Sequence, residues 1–241
     1  MVWHMDDMPD VFAMSADTAG GEPLSFLSQA SAFPDTFCIL SGWSPCFAAF
    51  GVREGMLYAG FRNVDLSFRT QFHRLMANHV LGAGFSVLSE KHIRAGLRAG
   101  YAVSAIRGFK AKHGGSCSGN VLIRTGEQWQ ISLQAEHVLT FGNDSTRFFE
   151  PCTRASAVFV PSRRLRISGG LFKRRDLAWR PYLQLAYYPR ELIGFSAGWE
   201  CLTGDMQLIV RLKIKRWYVY ECLRVHPRLG FSQSISLSYA Y

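Results

Sequence analysis

The chain closes on Gly230-Phe-Ser-Gln-Ser-Ile-Ser-Leu-Ser-Tyr-Ala-Tyr241. Taken at every second position, this stretch splits into two strings. Phe231, Gln233, Ile235, Leu237, Tyr239 and Tyr241 are large and mostly apolar; Gly230, Ser232, Ser234, Ser236, Ser238 and Ala240 are small. Successive side chains of a β-strand point to opposite faces, so this is a strand with one bulky apolar face and one small polar face.

The same period of two recurs upstream. Ile93, Ala95, Leu97, Ala99, Tyr101 and Val103 alternate with Arg94, Gly96, Arg98, Gly100, Ala102 and Ser104. Trp129 to Glu136, Leu165 to Leu171, Ile193 to Glu200 and Met206 to Lys215 repeat the pattern. Alternation sustained over this length argues half-buried strands rather than helices. Short breaks with turn chemistry separate them: Ser89-Glu90-Lys91, Thr125-Gly126-Glu127, Pro161-Ser162-Arg163, Tyr188-Pro189-Arg190 and Thr203-Gly204-Asp205. Such connections make hairpins, and hairpins make antiparallel sheets. Two longer breaks fall around Lys110–Gly119 and Phe141–Pro151, and the Gly-rich Gly114–Gly119 reads as a flexible loop. Residues 1–50 hold Gly20-Gly21, Pro9, Pro23 and Pro34 and no sustained period, so they read as an irregular arm. Residues 51–241 then form one all-β domain: a single closed antiparallel β-barrel of roughly 12 strands, within 10–14.

Alternation alone does not say which face points outward. Three features favour a transmembrane barrel with its apolar face to lipid over a soluble ligand-binding barrel with an apolar interior. The strand count exceeds the roughly eight of small ligand barrels. The polar face is rich in Gly, Ser and Ala, where a soluble exterior would carry more Lys and Glu. Aromatics gather near strand ends, at Tyr182, Tyr187, Tyr188, Trp199, Trp217, Tyr218, Tyr220, Tyr239 and Tyr241, as interfacial girdles do. Composition agrees: 14% aromatic and only 19% charged residues in 241, against about 25% charged in ordinary soluble domains. No uncharged apolar run is long enough for a membrane helix. The compartment expected is the bacterial outer membrane. Met1–Gly21 has neither the basic start nor the apolar run of a signal peptide, so either the protein stays inside the cell or, as the barrel reading expects, the export signal lies outside the given chain.

With the apolar face to lipid, Arg94, Arg98, Arg164, Arg166, Gln184, Arg211 and Lys213 are expected to face the lumen. Such a basic lining either fills a closed barrel or favours anions in a pore. One strand departs from the pattern: in Trp217–Val225, Glu221 falls on the lipid face, which marks it as a candidate protein interface. The net charge of +9 is spread along the chain without a nucleic-acid-binding motif. None of the seven histidines stands at metal-ligand spacing, and none of the six cysteines forms a C-x-x-C pair. A Cys201–Cys222 disulfide is compatible with facing strands. No nucleophile motif or phosphate loop is present. The reading is therefore of a non-enzymatic protein without a cofactor.

The stretch Val225-His-Pro-Arg-Leu-Gly-Phe-Ser-Gln-Ser-Ile-Ser-Leu-Ser-Tyr-Ala-Tyr241 resembles the end of PorV-like outer-membrane barrels, relatives of the FadL fatty-acid channels. His226, Pro227, Leu229 and Gly230 stand at the family's last hairpin. Ala30–Phe50 is similar to its N-terminal signature, with Asp35 and Pro45 in place; Ser44 replaces the Asn, and Cys46-Phe47 replace Ala-Gly. The resemblance implies an N-terminal arm that lines or plugs the lumen. It implies an accessory subunit of an outer-membrane secretion or assembly complex, with other outer-membrane or periplasmic proteins as partners. On the FadL side it implies a channel for a hydrophobic or anionic small molecule. Ile235, Leu237, Tyr239 and Tyr241 resemble the C-terminal signal read by the barrel-insertion machinery.

Overall fold

The computed structural model describes residues 37–44, 53–61, 63–90, 92–126, 128–142, 151–174, 178–227 and 230–240. These build fourteen strands: β1 (Cys38–Ser44), β2 (Arg53–Phe61), β3 (Val64–His73), β4 (Met76–Ser89), β5 (Ile93–Ile106), β6 (Lys112–Thr125), β7 (Trp129–Phe141), β8 (Cys152–Ser162), β9 (Leu165–Arg174), β10 (Arg180–Arg190), β11 (Ile193–Glu200), β12 (Met206–Ile214), β13 (Trp217–His226) and β14 (Gly230–Ala240). Each strand pairs antiparallel with its sequence neighbours, and β1 closes the sheet on β14, with Cys38 opposite Ala240 and Trp43 opposite Ile235. The barrel thus has fourteen strands where the alternation indicates about twelve.

Alternation runs as expected, with the apolar string outside. Leu66, Leu81, Leu183, Leu208, Ile235 and Leu237 are exposed on the outer wall, while Ser232, Ser234, Ser236 and Ser238 are buried inside. A soluble protein would not leave this whole belt uncovered; in lipid, only a closed sheet satisfies its backbone groups. The surface is that of a bilayer-spanning barrel.

The two ends differ. At the end carrying both termini, β2–β3, β4–β5, β6–β7, β8–β9, β10–β11 and β12–β13 join through two or three residues. Longer connections lie at the other end, among them residues 107–111, 142–151 and 201–205. Outer-membrane barrels place short turns in the periplasm and long loops outside. Outward aromatics ring both ends: Phe61, Trp129, Tyr187 and Trp217 on the terminal side, Trp43, Phe72, Trp199 and Phe231 on the loop side.

Several expectations are corrected. β1 lies inside the segment 1–50 read as irregular; its seven residues are too short to show a period. Gly114–Gly119 is not a loop but part of β6. Small residues on both faces conceal its alternation, and outward Gly115 is covered by the Phe141 ring from β7. Pro161 and Pro189 do not turn the chain. Both lie within register shifts, at Phe159/Ser162 and Tyr187/Arg190, and the turns follow at residues 163–164 and 191–192. A bulge leaves a residue out of the ladder, so it tolerates a proline. Asp35, Pro45, Cys46, Leu229 and Tyr241 lie outside the described residues.

Candidate functional site in the barrel lumen

Among the described residues, the concave face is the surface where the strands converge polar side chains. Of the expected lumen residues, Arg94, Arg98, Arg166, Gln184, Arg211 and Lys213 stand on inward register positions. Arg164 does not: it sits exposed in the turn between β8 and β9, because β8 continues two residues further than its proline implies. Arg69, Arg124, Arg154, Arg174, Arg180 and Arg224 also face inward. They lie outside the stretches of plain alternation, so the sequence pattern does not single them out.

The inward charges are distributed unevenly along the barrel axis. In the half nearest the loops, Glu54, Glu136, Glu200 and Asp205 stand among the inward cations. Glu54 Oε1 lies 2.7 Å from Arg69 Nε. Arg224 Nη2 donates to Asp205 Oδ2 at 2.9 Å, with His226 Nε2 3.6 Å from the other oxygen. Glu200, fully buried, takes Arg180 Nη1 at 3.5 Å, and the Arg180 guanidinium also stands 5.9 Å over the Phe172 ring. Glu136 accepts from Gln134 Nε2 at 2.6 Å.

In the half nearest the termini the balance is different. Arg94, Arg98, Arg124, Arg166, Arg211 and Lys213 face inward there, and Asp65 is the one inward carboxylate among the described residues. Asp65 Oδ1 accepts from Arg98 Nη2 at 2.7 Å, and the same nitrogen donates to Ser67 Oγ at 2.8 Å. Glycines opposite make room for this pair: a Cβ at Gly82 would strike Ser67 and Arg98, and one at Gly84 would strike Asp65.

Beside the cations lies an apolar and aromatic patch. Leu40, Met56, Tyr58, Ile209, Tyr218, Tyr220 and Cys222 form one buried cluster, with Tyr188 packed against it. The Arg211 guanidinium lies 4.5 Å over the Tyr188 ring and 5.6 Å over the Tyr218 ring, and Lys213 Nζ is 5.6 Å from the Tyr218 ring. Cations over ring faces are attracted to them electrostatically. Tyr182, Tyr188, Tyr218 and Tyr220 therefore line the lumen rather than the girdle, whereas Tyr187, Trp199, Trp217 and Tyr239 keep the outward positions expected of them. Aromatics near strand ends serve both faces, and only register separates them. Farther along the wall, Gln184 Nε2 donates to Ser196 Oγ at 2.7 Å and Ser168 Oγ donates to Gln184 Oε1 at 3.4 Å, a polar run across β9, β10 and β11.

Outside, Glu221 stands on the lipid wall, four residues from Trp217 at one girdle and four from Val225 near the other. The side chain of Gln233 donates to its Oε1 at 2.6 Å. The polar exceptions on the outer faces of β13 and β14 are thus one hydrogen-bonded pair. Ile235, Leu237 and Tyr239 occupy outward positions of β14. Cys201 and Cys222 are both free thiols; Cys222 faces the lumen and accepts from Gln207 Nε2 at 2.9 Å, while Cys201 is exposed in the β11–β12 connection. Among the described residues no group of His, Cys, Asp and Glu side chains could hold a metal.

No family model and no curated protein sequence matches the chain. Solved structures do. The Acinetobacter baumannii outer membrane protein Omp33 aligns over 86% of this chain and 98% of its own, with a TM-score of 0.56 and 6% identity. A deletion mutant of TodX, a monoaromatic hydrocarbon channel, aligns over 91% and 94%, with a TM-score of 0.62 and 7% identity. At such identities the likeness is one of fold. Together with the apolar outer belt, it places the chain among the closed β-barrels of the bacterial outer membrane.

Proposed function

We propose that this barrel is an outer-membrane channel for small anionic compounds with an aromatic or apolar body. The observation that supports it is the terminal half of the lumen. There inward cations outnumber the single described carboxylate, and Arg211 and Lys213 stand against Tyr188, Tyr218 and the Met56–Tyr58 patch. Basic rings favour anions in a pore, and aromatic walls offer faces on which a planar or apolar body stacks. TodX is a channel for uncharged aromatic hydrocarbons; the cations of this lumen favour a charged relative of such solutes. Uptake into proteoliposomes tests the reading. Benzenesulfonate is expected to enter several-fold faster than benzyltrimethylammonium, a cation of similar size. Faster entry of the cation would overturn it.

The segment before β1 is proposed as the channel's plug. β1 begins at the terminal end, where Cys38 pairs with Ala240. Residues 1–52 contain no Lys or Arg but carry Asp6, Asp7, Asp10, Asp17, Glu22 and Asp35. An acidic arm delivered to the basic half of the lumen is electrostatically matched to it. The inner wall supports this: its serines are buried, although a barrel of this strand number is wider than the roughly eight-stranded ones that side chains fill alone.

A second reading, an accessory subunit contacting another membrane protein, is favoured by the Glu221–Gln233 pair alone. A carboxylate midway between the girdles is unfavourable in lipid and is better accommodated against a protein surface.

A further inference from the structure

The loop end of β2–β6 carries a cluster that the channel reading does not use. Arg53 opens β2 on an outward position, opposite Phe72 of β3. His73 and Arg74 follow at the β3–β4 turn; Arg107 and Lys110 lie in the β5–β6 connection. All five are exposed. The backbone N–H of Arg107 donates to the Leu75 carbonyl at 3.0 Å, which joins the turn and the longer loop into one ledge. The same ledge presents apolar tips: Phe109 is 75% exposed and Leu75 53%.

The sign of this ledge is unmixed. Between Arg53 and His113 the described carboxylates are Glu54, Asp65 and Glu90. Glu54 and Asp65 are buried in lumen ion pairs with Arg69 and Arg98, and Glu90 lies in the β4–β5 turn at the opposite end. The outer wall just below is also unlike the rest of the belt. Thr70 Oγ1 and His79 Nδ1 are 2.9 Å apart, with His79 between the Phe68 and Phe72 rings. The Tyr101 hydroxyl and His113 Nδ1 are 2.8 Å apart. Hydrogen-bonding groups carried on aromatic surface suit the level where headgroups meet acyl chains. From β2 to β6 the ledge spans four strand spacings, about 19 Å, room for a headgroup bearing more than one phosphate.

We infer that this ledge binds the phosphorylated glycolipid of the outer leaflet. The guanidinium and ammonium groups take its phosphates, as Arg and Lys do in charge-assisted pairs, and Phe109, Leu75 and the wall below take its acyl chains. Loops of such barrels face outward, so this lipid is the one the ledge meets.

The test is binding of the full chain, purified in detergent, to fluorescent diphosphoryl lipid A. Folding is checked by heat-modifiable migration on gels. R74Q/R107Q/K110Q is expected to weaken binding at least about tenfold, because each basic group near a lipid surface contributes appreciably. A control with the same loss of charge at the other rim, R163Q/R164Q/R216Q, is expected to leave affinity within about twofold. Monophosphoryl lipid A is expected to bind more weakly than the diphosphoryl form. Equal weakening by both triple variants, or none by the first, would overturn the inference. So would competition by inorganic phosphate at concentrations comparable to lipid A, which would assign the ledge to free anions. If the triple variant does not fold, R107Q alone carries the same comparison.

Discussion

The Asp65–Arg98 pair shows how single residues shape this lumen. Asp65 is buried at the start of β3, and its partner reaches across Gly82 and Gly84 of β4 from β5. The glycines are needed because a Cβ at either place would occupy the space the pair uses. Breaking a buried pair leaves a charge without compensation, at a cost of about 3 kcal/mol. Asp65→Asn is therefore expected to lower stability by that order in urea unfolding from detergent or vesicles; an unchanged midpoint would show that Arg98 is otherwise compensated. Glu221 gives the opposite sign. It stands on the lipid wall with Gln233 as its partner, so Glu221→Leu is expected to stabilise the isolated barrel by about 1 kcal/mol. The same change would weaken any complex that uses this wall, and comparing native-gel migration of the two forms in membrane extracts separates the effects.

At the scale of strands, legibility followed contrast between faces. β12 and β14 place bulky residues against small or charged ones, so their period is plain in the sequence; β13 carries bulky residues on both faces, and its Glu221 stands out in the sequence as the exception. β6 begins Lys112-His-Gly-Gly-Ser-Cys-Ser-Gly; small residues on both faces remove the contrast, and the strand reads as a loop. β1 has seven residues and becomes a strand because β2 and β14 need a neighbour to close the sheet, a constraint no local window contains. Turn positions misled for a related reason: Pro161 and Pro189 mark bulges, and the chain turns later. That displacement moves Arg164 out of the lumen and leaves Arg166 within it. The difference is measurable. In a cysteine-free background, Arg164→Cys is expected to react with a water-soluble maleimide at least about tenfold faster than Arg166→Cys, since thiol labelling follows access. Similar rates would place the turn elsewhere.

At the scale of the molecule, the organising feature is axial. Three loop-side carboxylates are paired with cations, the terminal half is basic, and the sequence preceding β1 is acidic. The candidate site was legible only in outline. Alternation named Arg94, Arg98, Arg166, Arg211 and Lys213 as inward, but their grouping at one end, and the Tyr188–Tyr218–Arg211 stack, depend on register between strands distant in sequence. Removing residues 1–36 is expected to raise single-channel conductance several-fold in planar bilayers, and unchanged conductance would show that the arm does not obstruct the lumen. The most direct test of the channel itself is the zero-current potential under a potassium chloride gradient. The form lacking residues 1–36 is compared with the same form carrying R211Q/K213Q. The basic terminal half predicts selectivity for chloride over potassium in the first and a clear loss of it in the second. Selectivity for potassium, or the same selectivity in both, would contradict the account.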